Sequence, residues 1–221
     1  MKQIVLDTET TGLSIKEGHR IVEIGCIELD DLMPTNKIFH TYLNPERKVS
    51  EKALEVHGYT DNFLSDKKKF KDVVYDFLNF IENKKIIIHN AEFDIAHINN
   101  ELSLIGKDKI DKSNVIDTLE IAREKFPGAG ISLDALCKRY NIDNSRRIKH
   151  TAIVDCELLS KVYINLIDQK EPKLNFSNEK DIIDNNLNNN FDYCKKVVEL
   201  TESEILSHKE FLKKSLKKNY Y

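Results

Sequence analysis

The apolar residues of this chain fall into two rhythms, short unbroken or alternating runs and longer runs at helical spacing. Ile4-Val5-Leu6 is an unbroken run and reads as a strand buried on both faces. Residues 20–29 (R-I-V-E-I-G-C-I-E-L) alternate and predict a second strand, closed by Asp30-Asp31 with Pro34. Residues 37–43 (K-I-F-H-T-Y-L) predict a third, stopped by Asn44-Pro45. The short connections make these three an antiparallel meander. Residues 84–88 (K-K-I-I-I) and Val115-Ile116 predict a fourth and a fifth strand. Helical spacing appears in Phe70, Val73, Val74, Phe77, Leu78 and Ile81, in Phe93, Ile95, Ile98 and Leu102, and in Ile153, Val154, Leu158, Leu159 and Val162 of a last helix over 151–166. Ser50 caps a short helix that His57-Gly58 ends, Asp117 or Thr118 caps one running to Lys125, and Ser132 caps one through Tyr140. The order β-β-β-α-α-β-α-β-α-α-α over residues 1–168 predicts an α/β domain. Its sheet is mixed and five-stranded, with helices on both faces and a ligand site at the ends of the central strands.

The pattern changes after Gln169. Residues 175–190 carry Asn at 175, 178, 185, 186, 188, 189 and 190 with few apolar residues, which predicts a flexible linker over 169–192. In the segment 193–221, Thr201-Glu202-Ser203-Glu204 is a capping box followed by Ile205, Leu206, Phe211, Leu212 and Leu216. This amphipathic helix either folds back on the domain or docks on a partner protein. Composition narrows the class. The 221 residues are 40% hydrophobic and 32% charged, with a net charge of −3 from 34 basic and 37 acidic residues, so any nucleic-acid contact must be local. The cluster Lys67, Lys68, Lys69 and Lys71 reads as a solvated face. No apolar run approaches the ~20 residues of a membrane span. Met1-Lys2-Gln3 leads straight into a strand, unlike a signal peptide. Four scattered cysteines (26, 137, 156, 194) read as thiols of a reducing, cytoplasmic protein.

The chemistry sits at element boundaries. Asp7 and Glu9 are two apart at the end of the first strand, so they point the same way, and two desolvated acids there need a cation. A hard divalent ion is one solution; an ordinary strand end with solvated acids is the other. Asp94 lies at the start of the helix after the fourth strand, and Asp155 one turn into the last helix. His150 stands on the loop before that helix, with Arg146, Arg147 and Lys149. Each has an ordinary explanation alone. Four acids and a histidine around one sheet edge are a candidate metal-dependent site.

Three blocks carry these residues: V-L-D-T-E-T-T-G-L (5–13), H-N-A-E-F-D-I (89–95) and K-H-T-A-I-V-D (149–155). They resemble the three motifs of the DEDDh 3′→5′ exonucleases, whose fold is ribonuclease H-like. Residues 40–45, 56–58, 132–137 and 144–147 extend the resemblance toward the proofreading (epsilon) subunits of bacterial DNA polymerase III, so that it covers residues 3–168. The resemblance implies that Asp7, Glu9 and Asp155 ligate one Mg²⁺ or Mn²⁺ ion. Asp7 would be shared with a second ion, which Asp94 completes, and His150 would be the general base in phosphodiester hydrolysis. It implies that Val56, His57 and Phe93 line the 3′ nucleotide, with backbone at Thr8 to Thr10 meeting the terminal 3′-OH. It also implies two partners besides a single-stranded or frayed DNA 3′ end. One is the polymerase (alpha) subunit, held by the tail. The other is a sliding clamp, bound weakly, because in E-P-K-L-N-F (171–176) Glu171 stands in the Gln position and Gln169 comes two residues early. A DEDDh enzyme acting on RNA 3′ ends and a non-catalytic replisome scaffold are the alternatives.

Overall fold

A computed structural model describes residues 2–167 and 201–215 of the chain. They fall into two units, an α/β domain and the helix Glu202–Ser215 (α8). The expected linker, the clamp-like segment 171–176 and Cys194 lie outside the described residues. Among the described residues no helix is long and apolar enough to cross a membrane.

The domain is one five-stranded sheet in the order β3-β2-β1-β4-β5. β1 (Lys2–Thr10), β2 (Ile21–Asp30) and β3 (Met33–Tyr42) form the antiparallel meander. β4 (Lys85–Ile88) and β5 (Val115–Asp117) run parallel to β1 on its other side. The first strand is therefore central, as its unbroken apolar run implies. The third strand starts earlier than expected. Asp31 and Leu32 form a two-residue hairpin turn at φ 46° and 69°, the positive values a type I′ turn requires, so β3 begins at Met33 and includes Pro34. Proline is tolerated there because β3 is the edge strand.

Side chains alternate across β1 and divide the core in two. Ile4 and Leu6 join Phe70, Val73, Val74 and Phe77 of α3 (Phe70–Ile81) and Ile98 and Leu102 of α4 (Ala91–Leu104). Val5 joins the opposite layer, with Ala122 of α5 (Thr118–Lys125), Leu136 of α6 (Leu133–Arg139), and Leu159 and Val162 of α7 (Ala152–Leu166). Asp7 and Glu9 continue the Val5 side, toward α7. Thr8 continues the Leu6 side, toward α4. The helix capped by Ser50 is α1 (Glu51–His57), and Gly58 ends it at φ 82°. A further short helix, α2 (Asp61–Ser65), escapes sequence periodicity because five residues are less than two turns. β2 reads as alternating in sequence but is buried on both faces from Ile21 to Leu29. Two of its three acids are therefore internal: Glu28 meets Lys84 at 3.1 Å, and Glu23 is fully buried.

α7 rides directly on the β2 backbone. A Cβ at Gly25 would lie 2.7 Å from the carbonyl carbon of Ala152 and 2.9 Å from the amide nitrogen of Ile153. That approach brings the first turn of α7 over the strand pair in which Asp7 faces Gly25. Gly25→Ala should therefore push the helix start away, lowering stability by about 1–3 kcal/mol in denaturant titration. A variant with parental stability would show that the close approach is dispensable.

Candidate active site

The site forms where β1 outruns its parallel neighbour. β4 pairs with β1 only as far as Val5, so the edge of β1 beyond it needs other partners. α4 supplies one. Asp94 Oδ1 accepts the Thr8 N–H at 3.0 Å and the Thr8 hydroxyl at 2.6 Å. On the other face the first turn of α7 brings Asp155 toward Asp7 and Glu9, close enough for all four carboxylates to raise or feel one another's charge. Oxygen or nitrogen atoms of Glu9, His150 and Asp155 all lie within 4.8 Å of one another. His150 is held from its backbone, whose N–H donates to Val56 O at 3.2 Å, while its ring is 44% exposed at the mouth.

The two helices that carry acids lack capping side chains of their own. Asn90 before α4 and Thr151 before α7 make no side-chain cap bond, whereas Ser50, Thr60, Asp117 and Ser132 cap α1, α2, α5 and α6. Carboxylates from strands substitute. Asp117 at the end of β5 accepts the Asn90 and Ala91 N–H groups at 3.0 and 2.9 Å. Glu23 of β2 accepts the Ala152 N–H at 2.9 Å. Both helix starts are thus tied to the sheet that presents Asp7 and Glu9.

Electrostatics divide the acids into two kinds. Burial, then repulsion from Asp94, Asp155, Glu9 and Glu23, holds Asp7 well above the usual carboxylate range. Burial, then Asp155, Glu23 and Asp94, pushes Glu9 up to about 8, against a lowering by Arg147. Burial raises Asp94 to about 7 despite its bonds from Thr8. Asp155 goes the other way. Burial pulls it upward, but hydrogen bonds from His150 and Arg147 hold it below the usual range. Arg147 grips Asp155 with two parallel bonds of 2.6 Å from Nε and Nη2, reaches Asp134 with Nη1 at 2.6 Å, and places Nη2 2.8 Å from His150 Nδ1. All four carboxylates offer hard oxygen donors, and the arginine that grips Asp155 leaves the repulsion among Asp7, Glu9 and Asp94 unrelieved, which a divalent cation would relieve.

Beside the acids opens a cavity of about 520 Å³, lined by Glu9, Thr10, Leu13, His19, Lys52, Val56, His57 and Phe93 among others. Of the residues expected to meet substrate, Glu9, Thr10, Val56, His57 and Phe93 share this wall. Thr8 lies elsewhere, buried, with both its N–H and its hydroxyl spent on Asp94. His57 presents a ring and not a free polar atom. Its Nδ1 accepts the Tyr59 N–H at 2.9 Å, so the proton sits on Nε2, which meets Thr10 O at 3.3 Å. Burial lowers its pKa, which keeps the ring neutral.

Three residues of this arrangement are not evident from sequence patterns. Arg147 looks like one more cation on a basic loop. Asp117 looks like an ordinary N-cap. Glu23 looks like the polar side of an alternating strand. The available signal for Glu23 is its place in I-V-E-I-G-C-I, where a charge inside an apolar run demands buried partners.

Comparison with known proteins places the chain among nucleases. The family model described as "Exonuclease" matches residues 4–163. A relative named "DNA polymerase III subunit epsilon" from Rickettsia conorii is 44% identical over 100% of this chain and 99% of its own length. One of the same name from Salmonella typhimurium is 48% identical over 74% of this chain and 70% of its own length. Among solved structures, Exonuclease X in complex with 5′ overhanging duplex DNA aligns with TM-score 0.59 and 24% identity, covering 76% of this chain and 92% of that one. Escherichia coli Exonuclease I in complex with a dA16 oligonucleotide aligns with TM-score 0.63 and 17% identity, covering 77% of this chain and 41% of that one. These two alignments share the fold, a ribonuclease H-like mixed sheet.

The raised carboxyls make stability depend on pH in a definite sense. In chelator, folded Glu9 and Asp94 hold protons up to about 8 and about 7 that the unfolded chain releases near 4.5 and 3.8. Their contribution is complete below about pH 4 and is lost as pH rises toward 8. Thermal melts in EDTA should therefore fall between pH 5 and pH 8 by several degrees or more, since each tenfold difference in proton affinity lost over that range is worth about 1.4 kcal/mol. Millimolar Mg²⁺ should remove most of the fall, and Asp7→Asn should flatten it. A melting temperature that rises over this range in chelator would contradict the assignment of these groups.

Proposed function

The chain belongs to the exonuclease family, and within it to the DNA polymerase III epsilon subunits, and from that premise we propose how its residues perform 3′→5′ proofreading. It is a metal-dependent exonuclease of DNA replication. The observation that supports the site assignment is the convergence of Asp7, Glu9, Asp94, Asp155 and His150 beside one cavity, in a chain that the Rickettsia conorii relative matches over its whole length.

In this reading Asp7, Glu9 and Asp155 hold one divalent ion, and Asp7 with Asp94 holds a second, Mg²⁺ or Mn²⁺ in either place. Bound ions supply Lewis-acid stabilisation of the phosphate and a water of lowered pKa. The protein groups do the rest. The cavity wall of Val56, His57 and Phe93 seats the 3′-terminal nucleotide by shape and ring contact, with backbone near Thr10 meeting the sugar. Such contacts read no sequence, so selectivity follows from how readily a terminus unpairs. A mispaired 3′ end frays at lower cost and enters more often. His150 takes the proton of the attacking water. The tautomer that suits this role carries its proton on Nδ1, facing Asp155 Oδ2 at 3.4 Å, and leaves the Nε2 lone pair free. Arg147, which can only donate, sits 2.8 Å from the same Nδ1 and favours the other tautomer, so the base form requires that this contact be given up.

Residues 1–168 form the exonuclease domain, 169–192 a linker with a weak clamp-binding segment, and 193–221 the part that binds the polymerase subunit. Supporting this, α8 starts with the Thr201–Glu204 capping box and leaves Leu206 and Phe211 more than 60% exposed.

Asp7→Ala and His150→Ala should each leave a folded protein whose Mg²⁺-dependent release of a 3′-labelled nucleotide falls at least 10²-fold, on the scale of a lost general base. Full activity of Asp7→Ala would remove the mechanism. Digestion of matched, mispaired and RNA 3′ ends should rank mispaired DNA first; RNA ranked first would favour the RNA exonuclease instead. Truncation after residue 168 should retain nuclease activity and abolish co-purification with the polymerase subunit.

A further inference from the structure

Glu23 is the most deeply buried acid near the site, and no part of the reaction uses it. It sits on β2 directly across from Glu9 in the β1–β2 ladder. Its side chain is inaccessible, yet each oxygen is engaged. Oε1 meets His40 Nε2 at 2.7 Å. Oε2 accepts the Tyr59 hydroxyl at 2.8 Å and the Ala152 N–H at 2.9 Å. These partners belong to different parts of the site. Tyr59 stacks on His57, with ring centres 4.8 Å apart and planes 23° apart, and His57 is a wall of the cavity. Ala152 is the first residue of the helix that carries Asp155 and follows His150.

The alternatives for holding that helix start are poor. Thr151, in the N-cap position, makes no cap bond, and its hydroxyl is buried without a partner. Asp155 itself is oriented by Arg147 from the loop, which fixes the carboxylate but not the helix. Among the described residues, Glu23 is the side chain from the sheet that caps the first N–H of the helix, while the Cys156 thiol meets Gly25 O at 3.2 Å one turn further on.

We propose that Glu23 is a positioning residue of the exonuclease, a remote cap whose reach sets the spacing between the Tyr59-backed cavity wall and the helix bearing Asp155. The role rests on the exonuclease reading above. It depends on where the two oxygens lie and not on their charge. A glutamine can reproduce it: its oxygen accepts from Ala152 and Tyr59, and its NH₂ donates to a neutral His40. An aspartate keeps the charge but is one methylene short and cannot reach Tyr59 and Ala152 together.

The test compares full-length Glu23→Gln and Glu23→Asp with the parent. Steady-state kcat and KM are measured on a single-stranded DNA 3′ end, and Mn²⁺ affinity by electron paramagnetic resonance titration. Glu23→Asp should lose at least 10-fold in kcat, as expected when reacting groups shift by a fraction of an ångström, with KM changed less than about threefold. Its Mn²⁺ affinity should weaken about 10-fold, the scale seen when a partner that orients a metal ligand is lost. Glu23→Gln should stay within about threefold of the parent in all three quantities. The proposal is overturned if the ranking reverses, since Glu23 would then act by charge. It is also overturned if both variants lose melting temperature while kcat and Mn²⁺ affinity per folded molecule are unchanged, since the role would then be stability alone. If Glu23→Asp does not fold, the kinetics and Mn²⁺ affinity of Glu23→Gln decide, and a 10-fold loss in either overturns it. A parent inert on every DNA 3′ end would refute the exonuclease reading, while the Mn²⁺ affinities would still judge the positioning.

Discussion

Four carboxylates gathered at the end of a buried central strand are the constraint that the rest of this domain accommodates. An unpaired buried carboxylate costs several kcal/mol, and a domain has only about 5–15 kcal/mol of net stability. Asp94 is offset by two hydrogen bonds from Thr8, and Asp155 by the Arg147 fork and His150. Among the described residues Asp7 and Glu9 accept no such hydrogen bonds, and the Arg147 charge only partly offsets Glu9, so burial and repulsion lift both of them. The strand that bears them cannot relax to relieve the repulsion. It is hydrogen-bonded on both edges and packed on both faces. A fold this tightly fixed around β1 turns electrostatic strain into a standing affinity for cations.

The capping pattern follows from the same constraint. Four of the other helices, α1, α2, α5 and α6, carry N-cap side chains of their own, which makes their ends local features. The two acid-bearing helices are capped from the sheet, by Asp117 and Glu23. A local cap fixes where a helix begins along the chain; a remote cap fixes where it begins in space. For Asp94 and Asp155 the second property matters, because each must stay within reach of side chains far away in sequence.

Much of this was legible in the sequence because the relevant signals are local. Ile4-Val5-Leu6 announces a doubly buried strand, and D-x-E after it sets both acids on one side. The Ser50 and Ser132 caps and the Phe70 and Phe93 periodicities lie within single elements. What was not legible depends on a third dimension. Pro34 reads as a strand terminator until β3 is known to be an edge. α2 is too short to show a period. Glu23 alternates like a solvent-facing residue, and only the packing of α7 against Gly25 shows that both faces of β2 are covered. His57 was expected to line the 3′ nucleotide, and its ring lines the cavity beside the acids. That both its nitrogens are already spent follows from Tyr59 and Thr10, which no motif records.

The placement of the acids also uses backbone charge. Asp94 and Asp155 each occupy the first turn of their helix, where unsatisfied N–H groups and the helix dipole favour negative charge by roughly 0.3–1 kcal/mol. β1 and β4 run parallel and end at the site, so α4, which follows β4, begins there with its positive end inward. α7 reaches the same place by riding on β2 from the other face. The dipoles are too weak to balance four carboxylates, and Arg147 alone cannot make up the difference. What remains is a set of mutually repelling carboxyls held in place by rigid elements beside a cavity, which suits the proposed cluster, one that takes up metal and then binds a phosphate. Full neutralisation by the protein would have made the domain more stable and deprived the site of its reason to bind a cation.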